Sequence, residues 1–160
     1  MWPARRVGVR LSPENEFNSM ADSDPQAHFG YFIEQLSLRG LAYVHVLEGD
    51  MMTRAGALDY RALRSKFAGP YIANNGYDLV RAKTAVRSGA ADLVAFGIPF
   101  LANPDLVRRY REKLPLNAAD PSTFYGGGEA GYTDYPLYRG KETYAEGVFH
   151  ERQDHTRSHC

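Results

Sequence analysis

Four short apolar segments, each followed by a helical pattern, constrain this chain more than any other feature of its sequence. They are residues 6–11 (RVGVRL), 41–47 (LAYVHVL), 70–74 (PYIAN) and 92–96 (DLVAF). Each is rich in β-branched or aromatic residues and bounded by Gly, Pro or Asn, which reads as a strand. Gly40, Gly69 and Gly89 stand between a helical pattern and the next strand, where a left-handed residue closes a helix. Strand, helix, glycine and strand in repetition predict a parallel sheet with right-handed crossovers.

The helix starts are signalled as strongly. Asp24 before Pro25 opens a helix whose Phe29, Phe32, Ile33 and Leu36 share one face. Tyr60, Leu63 and Phe67 repeat the pattern, and Asp78 caps a helix carrying Leu79 and Val86. In the fourth unit, Asn103 is the expected N-cap and Pro104 the first helical residue. Asp105 complements the positive helix end, and Leu106, Val107, Tyr110 and Leu114 form the stripe. The connections that follow the first two strands are long, residues 12–24 and 48–58, whereas those that precede strands are short. In α/β folds the strand C-terminal ends carry the site, so these loops are where function is expected.

From residue 117 the pattern stops. PSTFYGGGEAGYTDYPLYRG is rich in Gly and Tyr without period, and residues 139–160 read as a polar tail, leaving 1–138 as the folded part. Lys plus Arg equals Asp plus Glu at 19 each, so nothing global points to nucleic acid or an anionic membrane. No apolar run is long enough to span a bilayer, and the first residues lack the apolar segment of a signal peptide. Cys160 is the only cysteine, which excludes an internal disulfide. A cytoplasmic location is expected.

Several residues could carry chemistry. Arg10, near the end of the first strand among apolar neighbours, either holds an anionic or electron-rich ligand atom or forms an ion pair inside the fold. His45 reads as an inner strand group and Glu48 as a loop acid or a site residue. Asn74, Asn75 and Gly76 close the third strand and Gly97 the fourth. Their backbone N–H groups make either a phosphate cradle or ordinary turns. Phe124, Tyr125 and the glycines after them either lay an aromatic against a planar ligand or form a plain flexible loop. His155 and His159 have helical ligand spacing, but the polar segment around them offers no shell for a metal, and none is expected.

Taken together, RVGVRLSP, FNSMADSDP, AYVHVLEG, FGIPFLANPDLV and FYGGGEAGYTDYP resemble the Old Yellow Enzyme family, its N-ethylmaleimide reductase-like branch in particular. The resemblance runs from about residue 5 to about residue 136 and covers the C-terminal half of such an enzyme. It implies a (β/α)₈ TIM-barrel fold of which only the last four βα units are present, a half barrel. It implies an FMN-dependent oxidoreductase that takes hydride from NAD(P)H and reduces activated alkenes. By motif, Arg10 matches the arginine that contacts the flavin ring, and Asn75, Gly76 and Gly97 match the backbone that holds the FMN phosphate. Tyr125 matches an aromatic near the flavin. Ile98 stands where the FGRPF-type motif has its phosphate-binding arginine, and an apolar side chain cannot make that charge-assisted contact.

The family's substrate-binding His/Asn or His/His pair, its tyrosine proton donor and its Thr and Gln contacts to the flavin have no counterpart in these residues. The expectation is therefore a truncated chain, inactive alone. It would need a separate N-terminal half-barrel or self-associate through its open edges. The alternative is a non-catalytic remnant or interaction subunit.

Overall fold

The computed structural model describes residues 2–126 and 128–140. Four strands form one parallel sheet in the order β1-β2-β3-β4. They are β1 (Gly8–Leu11), β2 (Tyr43–Leu47), β3 (Tyr71–Asn74) and β4 (Leu93–Ala95). Every strand is shorter than its sequence pattern. Arg6 closes a 3-10 turn with Ala4, Pro70 has no N–H to donate, and Asp92 turns its carboxylate back onto the Tyr71 N–H at 2.8 Å.

The crossovers are α1 (Pro25–Leu38), α2 (Tyr60–Ser65) and α3 (Leu79–Arg87). Each starts on an aspartate that accepts from a backbone N–H of the first turn. Asp24 takes Ala27 at 3.1 Å, Asp59 takes Ala62 at 2.9 Å and Asp78 takes Arg81 at 2.7 Å. Gly40 (φ 63°) and Gly89 (φ 72°) close helices in the left-handed region as expected. Gly69 differs, because it is not left-handed. A Cβ there would meet the Phe67 ring at 2.8 Å, so close packing requires this glycine.

The fourth unit is built differently from the sequence expectation. A short helix, α4 (Ile98–Ala102), follows Gly97 directly, and a second, α5 (Leu106–Glu112), comes after a break. Asn103 caps neither helix start. Its side chain is almost fully buried, donating to the Pro99 carbonyl (2.9 Å) and accepting from the Asn117 N–H (2.7 Å). Asp105 receives the guanidinium of buried Arg109 at 2.6 Å and the Tyr138 N–H at 3.0 Å. Leu114 falls outside the helix, which ends at left-handed Lys113. Arg109 also donates to the carbonyls of Pro115 and Pro136, so the segment after residue 113 is tied to α5. The expected tail at 139–160 lies, apart from Arg139 and Gly140, outside the described residues, as do His155 and His159.

Strand alternation sorts the sheet into two faces. Val9, Leu11, Val44, Val46, Tyr71 and Ala73 point to the helices and form the core with Ile33, Leu36, Leu63, Phe67 and Ala85. The opposite face carries Gly8, Arg10, Tyr43, His45, Leu47, Ile72, Asn74, Leu93 and Ala95; Leu47 is buried there, and among the described residues no crossover helix packs on this face. Leu93 is 54% and Tyr43 39% exposed there. One covered and one open face, with β1 and β4 each paired on one side only among the described residues, is the form of half a (β/α) barrel.

Candidate functional site

The register places Arg10 beside His45, His45 beside Ile72 and Ile72 beside Leu93, in one row across the open face. Arg10 is exposed and joins no ion pair among the described residues. Its Nη2 donates to Asn74 Oδ1 at 3.2 Å, and Asn74 Nδ2 donates to the Ala95 carbonyl at 2.9 Å. Asn74 thus aims the guanidinium along the strand ends and leaves most of its donors free. Of the two readings of Arg10, the internal ion pair is not what the structure contains. His45 Nε2 is buried without a partner among the described residues. Burial, and then the Arg10 charge, push the pKa of His45 below the usual histidine value, so the ring is neutral at pH 7.

The ends of β3 and β4 are adjacent, with Asn74 in register with Ala95. Asn75 (φ 97°) and Gly76 (φ 63°) turn the chain sharply after β3. The Asn75 side chain is committed to the β2 exit loop, donating to the carbonyls of Glu48 (2.8 Å) and Asp50 (3.0 Å). No described residue accepts from the backbone N–H of Gly76, Gly97 or Ile98. Space opens around Gly97, where an added Cβ would meet nothing within 4 Å. Ile98 beside it is 46% exposed and brings no charge. Tyr125 is 88% exposed, its ring edge-on to Phe124, and at that exposure it packs against none of the other candidate residues.

Three arrangements in the neighbourhood were not visible in the sequence, although Glu48 itself stood there as a loop acid or a site residue. Glu48 is a half-buried acceptor, receiving Tyr71 OH at 3.1 Å and Tyr77 OH at 2.6 Å. Burial raises its pKa above the usual glutamate range. Tyr60 OH donates to Glu14 and accepts from the Gly49 N–H at 2.5 Å, joining the loops after β1 and β2. Arg54, in the β2 exit loop, lies against Gly76. None of these carried a local motif, because each partner is distant in sequence. The same two loops enclose a cleft of about 960 Å³ at the ends of β1 and β2. Arg10 lines it together with Phe17, Met20, Phe29 and Met52. The cleft meets the candidate residues only at Arg10, while Asn75, Gly76, Gly97 and Ile98 lie outside its lining.

Parallel strands backed by helices on one face, with polar groups gathered at the strand C-terminal ends, define a protein of (β/α)-barrel type. The chain belongs to the NADH:flavin oxidoreductase / NADH oxidase family, whose profile matches residues 3–117. That family is FMN-dependent and uses NAD(P)H as reductant. A probable flavin mononucleotide-dependent alkene reductase of Leishmania infantum is 48% identical over 132 residues, which are 82% of this chain and 36% of that protein. The 12-oxophytodienoate reductase 1 of Oryza sativa subsp. japonica is 45% identical over 140 residues, 84% of this chain and 37% of that protein. Among solved structures, the old yellow enzyme from Trypanosoma cruzi superposes with a TM-score of 0.79 at 40% identity. The match covers 84% of this chain and 36% of that one. Morphinone reductase gives a TM-score of 0.75 at 43% identity, covering 82% and 36%. The chain therefore spans about 36% of the length of the relatives it matches. The family and the half-barrel form expected from the sequence motifs are both borne out.

Proposed function

We propose that these residues form the half of an FMN site that holds the phosphate and one edge of the flavin ring, in an alkene reductase of Old Yellow Enzyme type. The observation that carries this is the Arg10–Asn74 pair at the strand ends, next to the free N–H groups of Gly76, Gly97 and Ile98. The donor set suits FMN, with a guanidinium for electron-rich ring atoms and backbone N–H groups for phosphate oxygens. When bound, FMN would supply hydride transfer from NAD(P)H to an activated alkene.

The chain's own contribution is binding and orientation. Arg10 holds positive charge where the ring carries its electron-rich edge, and Asn74 fixes its direction. Asn75 clamps the loop beside the phosphate position through two carbonyls, and its own backbone turns the chain toward that position. The open face does not exclude water, so this polypeptide by itself is expected to give negligible enone reduction. Ordinary enzymatic turnover by the purified chain would contradict that expectation.

A second reading, a non-catalytic interaction subunit, draws on Ile98, Tyr43 and Leu93. All three are apolar and exposed where a ligand or a second half-barrel would cover them. A partner supplying the complementary strands, or a second copy of the chain, would serve that role. Flavin titration of the purified chain and of Arg10→Gln separates the two readings. FMN binding weakened about tenfold or more by the substitution supports the flavin site. A chain indifferent to FMN supports the interaction subunit.

A further inference from the structure

Position 98 leaves a phosphate without a cation, and the loop after β2 offers one. A phosphate monoester carries close to two negative charges, and backbone N–H groups satisfy its oxygens without neutralising it. We propose that Arg54 supplies that charge from the β2 exit loop. The proposal rests on the flavin-site reading above.

The placement of Arg54 is built by several local contacts. Asp50 accepts from the N–H groups of Met52 (3.0 Å) and Thr53 (2.7 Å), and its own carbonyl accepts from the Arg54 N–H at 2.8 Å. The Asp50 N–H closes the loop on the Ala55 carbonyl at 2.7 Å. Arg54 takes the left-handed conformation (φ 61°) at the end of this turn. Asn75 then ties the loop to the end of β3 through the Glu48 and Asp50 carbonyls. The Arg54 stem therefore lies on Gly76, where an added Cβ would come within 3.0 Å of Arg54 Cδ and 3.7 Å of Cγ.

The charge itself is free. The Arg54 guanidinium is exposed, and its side chain makes no hydrogen bond or ion pair among the described residues. Its neighbour Arg81 is occupied differently, with its guanidinium over the Tyr77 ring (4.2 Å) and Nη1 3.4 Å from the Gly76 carbonyl. Asp50, the nearest acid in the loop, spends its carboxylate on Met52 and Thr53. A free arginine lying on a glycine whose N–H is also free is suited to a phosphate at that glycine.

Fluorescence titrations of FMN and of riboflavin with the full chain test the assignment, because the two ligands differ only in the phosphate. The wild-type chain is expected to prefer FMN. Arg54→Gln should weaken FMN about tenfold to a hundredfold and leave riboflavin unchanged. Arg54→Lys should retain most of the preference, and Ile98→Arg placed on Arg54→Gln should restore it. Circular dichroism of each variant establishes that it is folded. An unchanged FMN-to-riboflavin ratio in folded Arg54→Gln overturns the role of Arg54 and leaves the flavin site standing. A wild-type chain that binds neither ligand overturns both.

Discussion

Arg10 and Glu48 are both charged residues near strand ends, yet their environments give them opposite roles. Arg10 is exposed on the open face with one side-chain partner among the described residues, whereas Glu48 is half-buried under two tyrosine hydroxyls. Burial raises the pKa of Glu48 above its ordinary value near 4.5, so the folded chain holds this proton more tightly than the unfolded one. Stability contributed by that proton is present at low pH and falls as pH rises through the window that opens near 4.5. Urea unfolding of wild type and Glu48→Gln across this range should show the wild type losing ground to the variant as pH rises. A constant difference would contradict the assignment. Tyr60→Phe removes a donor to Glu14 and strands the Gly49 N–H, and should cost about 1–3 kcal/mol in the same assay. Of these residues, the sequence made Arg10 legible because a charge within an apolar strand needs a reason. Glu48 was legible as a loop acid or a site residue, but its tyrosine partners and the placement of Arg54 were not, since Tyr71, Tyr77 and Gly76 reach them only once β2 and β3 lie side by side.

Among the elements, those with purely local signals are the ones the sequence discloses. The aspartate caps of α1 and α3 stand where Asp24 and Asp78 indicate, since a cap's partner is three residues away. Asn103 carries the same local signal and does otherwise, because Asn117 and Pro99 claim its side chain after the chain folds back. Gly69 likewise answers to the Phe67 ring instead of to a left-handed turn. Helix α3 starts just beyond the Asn75–Gly76 turn, so its cap also steadies the β3 end. Asp78→Ala should lower stability by about 1 kcal/mol, read as a shift of the urea midpoint at unchanged slope. A midpoint within error of wild type would mean that the hydrogen bond to Arg81 N–H contributes nothing net.

For the whole molecule, the defining property is a sheet with one open face and two edges left unpaired among the described residues. Among the described residues β1 and β4 each have a single neighbour, and the open face carries partly exposed Tyr43 and Leu93. Such edges and apolar surface favour association. Sedimentation velocity should show the isolated chain self-associating with concentration, and Leu93→Lys should reduce it. A monomer at every concentration would contradict this. Association and flavin binding would both be served by covering the face on which Arg10 stands. The most direct test of the flavin half-site is an NMR titration of the labelled chain with FMN, following backbone amides. The largest saturable shifts are predicted at Gly76, Gly97 and Ile98, with the Arg10 side chain responding. Absence of saturable shifts, or shifts confined to the cleft loops at residues 12–24 and 50–57, would contradict the account.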